Sequence, residues 1–108
     1  MASYIILAGF TEQGIRSIKE TTVRADAFRE SAKRMGVTVR EIYWTLGQYD
    51  IVSVVDSPDE GSVTALALAI GAAGNVRTQV LRAFTQNEMK GILGKLNVKA
   101  PKKAAVPA

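Results

Sequence analysis

Residues 50–56 read D-I-V-S-V-V-D, a short stretch in which four of seven residues are apolar. Ile51 and Val52, followed by Val54 and Val55, place apolar side chains on both sides of an extended chain. Residues 4–8, Y-I-I-L-A, form a second short apolar run of the same kind. Such runs are typical of strands in the interior of a sheet. We therefore predict that these two segments are the central strands.

Two further strands are predicted at residues 37–45 and 76–84, and both are more polar. They are rich in β-branched and aromatic residues, but they also carry Arg40, Glu41, Arg77, Gln79 and Arg82. Charged side chains are frequent on edge strands, where they discourage pairing with another chain. We predict that these two strands form the edges of the sheet.

Helical spacing appears at residues 23–35, where Ala25, Phe28, Ala32 and Met35 fall on one side and Gly36 follows as a cap. A second helix is predicted from Ser57 as cap, with Pro58 in the first helical position, to about residue 73. The capping box of Thr85 and Glu88 predicts a short helix to about residue 96. Residues 11–22 are polar, so we expect a turn or a short irregular helix there.

The order of elements is therefore β-α-β-β-α-β with a C-terminal helix. It predicts an α+β, ferredoxin-like, antiparallel four-stranded sheet of order 4-1-3-2, with the helices on one face. We predict one domain at residues 1–96 and a disordered tail of Ala, Pro and Lys at residues 97–108.

The central strands are apolar on both faces, whereas two helices on one side cover only one of them. The second helix is also apolar on its far side, at Ala65, Leu68, Ala69 and Ala72. Helices that are apolar all round are usually buried all round, although exposed alanine is common. We therefore predict that a second copy of the chain covers the exposed apolar surface, as a homodimer or a higher homo-oligomer.

Composition excludes several function classes. The 108 residues include no His and no Cys, so a His-dependent triad, a Cys nucleophile, a Cys/His zinc site and a disulfide are all excluded. We expect no metal site and no cofactor. The net charge of +4 owes much to Lys99, Lys102 and Lys103, so it does not indicate a basic face for nucleic acid. With no predicted membrane span or secretory signal, we expect a cytoplasmic location.

Several strings resemble the GYD domain family. The first is residues 43–50, Y-W-T-L-G-Q-Y-D, and the second is residues 74–78, G-N-V-R-T, followed by L-R-A-F-T at residues 81–85. The opening Y-I-I-L with Phe10 and Thr11 also fits, so the resemblance spans roughly residues 3–95. It implies a ferredoxin-like fold of the dimeric α+β barrel group, in which the sheets of two subunits pack face to face. It implies no activity and no catalytic residues.

The residues themselves offer candidate site groups, each with a structural alternative. Asp50 could act as a general base and Tyr49 as a proton donor, or both could stabilise a turn. Tyr43 and Trp44 could contact a ligand, but adjacent strand residues point to opposite faces, so packing is the alternative. Arg77 and Arg82 could bind an anion, or could pair with carboxylates across a subunit contact.

We conclude from the sequence that this is a homo-oligomeric α+β protein of unassigned biochemical function. Its expected small-molecule site is the cavity between the sheet and its helices, or the subunit interface, near Tyr43, Tyr49, Asp50, Arg77 and Arg82. The alternative is a cofactor-independent enzyme that acts on a small apolar molecule, with Asp50 as its general base.

Overall fold

The computed structural model describes residues 1–96 of the chain, and the predicted disordered tail lies outside the described residues. A 3-10 turn (Ile18–Glu20) joins the first two helices. In chain order, the strands and helices are β1 (Ala2–Phe10), α1 (Glu12–Arg16), α2 (Thr21–Arg34), β2 (Thr38–Trp44), β3 (Ile51–Ser57), α3 (Glu60–Ala72), β4 (Val76–Ala83) and α4 (Gln86–Leu93).

The four strands form one antiparallel sheet in the order β2-β3-β1-β4. This is the predicted order 4-1-3-2 counted from the other edge, so the ferredoxin-like α+β fold is confirmed. The two continuously apolar strands, β1 and β3, are central, and the two polar strands are at the edges. One face of the sheet packs against helices, and we call the opposite face the open face.

The core lies between the sheet and the helices. Tyr4 and Ile6 of β1 pack with Val55 of β3, and Val63 and Leu66 of α3 lie against them. Ile6, Val55, Val63 and Leu66 are almost fully buried. Burying each of these side chains stabilises the fold by about 1.5–3 kcal/mol relative to leaving it exposed. The predicted apolar side of α2, with Phe28, Ala32 and Met35, also packs in this core.

The helix ends differ in one respect from the sequence prediction. The N-terminal cap of α3 is Asp59, whose Oδ1 accepts a hydrogen bond of 2.7 Å from the Ser62 N–H. That bond lowers the pKa of Asp59. The prediction that Ser57 caps this helix is wrong, because Ser57 is a buried β3 residue and its hydroxyl donates to the Asp59 carbonyl. The capping box of Thr85 and Glu88 is confirmed at the start of α4.

An irregularity in β2 determines which face of the sheet Tyr43 and Trp44 occupy. The pairing with β3 shifts between Val39 and Glu41, which leaves Arg40 as an extra residue. After the shift, Tyr43 pairs with Val52 on the open face and Trp44 pairs with Ile51 on the helix face.

Within residues 1–96, no helix combines the length and the apolar character needed to span a membrane.

Candidate functional site

A cavity of about 270 Å³ lies between the helix face of the sheet and the helices α2 and α3. Helix α2 packs mainly on β2 and α3 mainly on β4, so a gap is left over the central strands. Most of the lining is aliphatic or aromatic, and the polar lining groups are few. The lining consists of Ile6, Ala8, Phe10, Thr21, Arg24, Ala25, Ala27, Phe28, Ser31, Ile42, Ile51, Ser53, Ala69, Ile70, Ala73, Asn75 and Val76.

Arg24 is the one charged residue of this lining within residues 1–96. Its Nη1 donates to the Ser17 carbonyl at 2.8 Å and to the Ser17 hydroxyl at 3.1 Å. Its Nη2 donates to the Gly14 carbonyl at 3.2 Å. These contacts tie α2 to the segment around α1 and hold the guanidinium in a fixed position beside the cavity.

Ser53 places a hydroxyl in the wall formed by β3. The residue is only 5% exposed and it lines the cavity. It is one of the few polar residues in a lining that is otherwise mostly apolar.

Asp50 lies at the end of the β2–β3 connection, where it continues the pairing with β1. Its N–H donates to the Ala8 carbonyl at 2.9 Å, and its Oδ2 accepts from the Phe10 N–H at 2.8 Å. The pairing of β1 with β3 ends at Ala8 and Ile51, so the Asp50 carboxylate provides an acceptor for the Phe10 N–H beyond that point. A carboxylate engaged in this way positions the strand end, and it does not line the cavity.

Tyr49 reaches across the sheet to the opposite edge strand. Its hydroxyl donates to the Gln79 Oε1 at 2.8 Å. Gln79 pairs with Leu7, Leu7 with Val52, and Val52 with Tyr43, so these residues form one row across the open face. The structure therefore brings Tyr43 and Tyr49 to the same face, which is opposite to the cavity.

Tyr43 is 53% exposed on the open face. Hydrogen bonding and the negative charge of Glu41, two residues earlier on the same face, raise the pKa of Tyr43 above its usual value. A phenol of ordinary pKa is already protonated at neutral pH, and the raised pKa disfavours the phenolate further. Tyr43 can donate a hydrogen bond to a partner, but it is not poised to act as a base.

Trp44 lies on the opposite face, at the edge of the sheet. It is 43% exposed, and its indole Nε1 donates to the Thr21 hydroxyl at 3.0 Å. Thr21 lines the cavity, whereas Trp44 does not. The prediction that Tyr43 and Trp44 face opposite sides is confirmed by the strand register.

The two arginines of β4 also face opposite sides. Arg77 pairs with Gly9 on the open face and is exposed. Arg82 pairs with Tyr4 on the helix face, and its Nη2 lies 3.6 Å from a carboxylate oxygen of Glu88 in α4. Its guanidinium also lies over the Phe84 ring, 4.3 Å from the centroid. Arg82 thus orients the start of α4 within its own chain.

The six residues selected from the sequence do not come together at one site. None of them lines the cavity between the sheet and its helices. Arg24, which does line the cavity, was not among the residues selected from the sequence. One signal could have identified it: Arg24 stands four residues before Phe28, which places it beside the apolar stripe of α2.

The arrangement is suited to binding more than to proton transfer. Among residues 1–96, the cavity lining contains no carboxylate, and no three acidic side chains are grouped to hold a metal ion. The lining offers apolar surface, one fixed cation and a few hydroxyl and amide groups. Pockets that are mostly apolar with few placed polar groups are typical of small-molecule sites.

Comparisons with known proteins identify the family of this chain. The GYD domain model matches residues 4–93. A protein of Thermus thermophilus described as "Glutamine synthetase and cystathionine beta-lyase binding protein" is 31% identical over 85 residues, which cover 78% of this chain and 90% of the relative. The motifs at residues 43–50 and 74–85 lie inside the matched region. The chain therefore belongs to the GYD domain family.

Proposed function

We propose that this GYD domain protein is a homo-oligomeric binding protein that holds a small, largely apolar molecule between its sheet and its helices. The observation that carries the proposal is the apolar cavity of about 270 Å³, which is just below the usual range of ligand pockets, about 300–1,000 Å³. A cytoplasmic location is part of the same proposal.

The open face supports the self-association. The side chains of Ile5, Leu7, Val52 and Val54 form its centre, and Leu81 of β4 extends it with 38% of its surface exposed. Helices α2 and α3 lie on the other face, so within residues 1–96 they leave this apolar centre uncovered. A second copy of the chain presents a matching apolar face, and its packing would remove both faces from water.

A second candidate function is docking on an enzyme, which the description of the Thermus thermophilus relative favours. A surface for it is available on α4 and the residues that follow. Met89, Ile92, Leu93 and Leu96 are exposed there to between 37% and 64%. Exposed apolar side chains at helical spacing are typical of a helix that packs against another protein.

The alternative of a cofactor-independent enzyme with Asp50 as general base stays a hypothesis. It requires the Asp50 carboxylate to release the Phe10 N–H, and it requires a substrate to bind outside the cavity. The hydrogen bonds of Asp50 and Tyr49 favour binding over catalysis, because both groups already connect strands of the sheet.

Native mass spectrometry of freshly purified protein tests the proposal, because it reports the subunit number and any co-purifying molecule together. We expect an oligomer that releases a small molecule under mild activation. Leu81→Glu should lower the assembled mass, whereas Val23→Glu, on the exposed side of α2, should not. A monomer without a bound molecule at high protein concentration would refute both parts of the proposal.

A further inference from the structure

The charge of Arg24 has no neutralising partner among residues 1–96. The ion pairs in this part of the chain join Arg16 to Glu12, Arg40 to Asp56 and Arg82 to Glu88. Arg24 instead donates to the neutral oxygens of Ser17 and Gly14. A partly buried cation without an anion is unfavourable, and an anionic ligand at this position would relieve that cost.

The hydrogen bonds of Arg24 leave part of the guanidinium available. A guanidinium has five N–H donors, and Arg24 makes three contacts with them, two from Nη1 and one from Nη2. Its Nε–H makes none of these contacts. Arg24 therefore keeps donor capacity for an anion, and paired guanidinium N–H groups match the two oxygens of a carboxylate.

The surroundings of Arg24 limit the rest of the ligand. Phe10, Phe28, Ile42 and Ile70 supply apolar walls, and the cavity volume of about 270 Å³ admits only a compact body. A dianion would be poorly matched to a single cation in such a lining, because each uncompensated charge in an apolar site is costly. The hydroxyl of Ser53 offers one neutral hydrogen bond deeper in the wall.

We propose that the cavity binds a small monocarboxylate with a branched aliphatic or single-ring body, and that Arg24 holds its carboxylate through the N–H groups that its contacts with Ser17 and Gly14 leave free. This inference rests on the proposed ligand-binding function and names its ligand class. The Gly14 and Ser17 oxygens act as positioning groups, because they fix the guanidinium before the ligand arrives.

Titration followed by ¹⁵N NMR of the full chain tests the inference, with benzoate, neutral benzamide and inorganic phosphate as probes. We expect benzoate to shift the amide signals of cavity residues, and Arg24→Gln to weaken its binding about ten- to hundredfold, the usual effect of losing a charge-assisted contact. The matched control, Arg16→Gln, removes an exposed arginine that pairs with Glu12, and it should leave benzoate binding unchanged. Benzamide should bind weakly and equally to all three proteins.

The outcomes separate this inference from the proposed function. Equal binding of benzoate to the wild type and Arg24→Gln, or shifts confined to residues outside the cavity, would overturn the role of Arg24. Phosphate binding as tight as benzoate binding would overturn the ligand class. Benzamide binding in the cavity without any preference for benzoate would refute the inference but leave the proposed function standing. If Arg24→Gln does not fold, Arg24→Lys replaces it, and a similar loss is expected because lysine keeps the charge without the paired donors.

Discussion

Gly14→Ala should strongly destabilise the fold, because no space exists for a side chain at this position. Gly14 is the buried residue of α1, and a Cβ built there would lie 2.0 Å from the Asn75 carbonyl oxygen and 2.9 Å from its carbon. Both are backbone atoms, so no side-chain rotation can relieve the contact. An ordinary carbon–oxygen contact is about 3.3 Å, so α1 and the start of β4 must separate by more than about 1 Å.

The magnitude follows from the contacts that this separation breaks. The Thr11 N–H donates to the Asn75 carbonyl at 3.1 Å, and the Thr11 hydroxyl donates to the Gly74 carbonyl at 2.5 Å. The Gln13 amide donates to Ala73 and Asn75 across the same contact. With about 0.5–1.5 kcal/mol for each bond, and about 0.5–1 kcal/mol regained from replacing glycine in a helix, the net loss is about 3 kcal/mol.

Urea unfolding at a fixed protein concentration measures this loss, and the melting temperature should fall by about 12–24 °C for a domain of this size. The matched control is Gly71→Ala in α3, where nothing lies within 4 Å of the built Cβ, and its stability should rise slightly. A Gly14→Ala protein within about 0.5 kcal/mol of the wild type would contradict a close contact between Gly14 and the Asn75 backbone.

Three further predictions concern the acid stability, the strand end and the outer helix surface. The Thr85 N–H and Arg82 lower the pKa of Glu88 below its usual value of 4.5, so its stabilising contribution is complete at neutral pH and is lost as the pH falls through the lowered pKa. Glu88→Gln should therefore flatten the dependence of the urea-measured stability on pH in that acid range. An unchanged dependence would contradict the role of Glu88. Asp50→Ala should cost about 1–3 kcal/mol because it leaves the Phe10 N–H without an acceptor, whereas Asp50→Asn keeps an acceptor and should cost less; equal thermal stability of both variants would show that the contact is unimportant. Leu68→Glu places a charge on the outer surface of α3, where Leu68 is 70% exposed. If that surface is a subunit interface, size-exclusion chromatography should show a lower mass. A normal mass would show that this surface of α3 is not part of the interface.

The strand order could be predicted from the sequence because hydrophobic pattern and topology agree. Strands β1 and β3 are buried on the helix face and half-buried on the other, so their side chains must be apolar in both directions. The edge strands meet water on one side, which explains the charges at Arg40 and Arg77. Helix boundaries were less certain, since Ser57 and Asp59 are both good cap residues and only the extent of β3 decides between them.

The sequence could not predict which of the candidate site residues lie together, because that depends on strand register and loop conformation, which the hydrophobic pattern does not specify. The extra residue at Arg40 changes which face each later residue of β2 occupies, and no local signal marks it. The hydrogen bond from Tyr49 to Gln79 spans two central strands and depends on the conformation of the β2–β3 loop. The contacts of Arg24 could not be predicted either, because they join α2 to Gly14 of α1 and to Ser17 at the end of that helix.

The cavity follows from residue size at the positions where the two helices approach the sheet. Ala8 and Ser53 occupy the central strands there, while Ala25 comes from α2 and Ala69 from α3. Larger side chains at these positions would fill the gap, and filling an apolar void generally stabilises a core. The chain instead combines small residues with a fixed cation beside the gap. The ligand that we propose for this gap would pack on the apolar surface that the small residues leave.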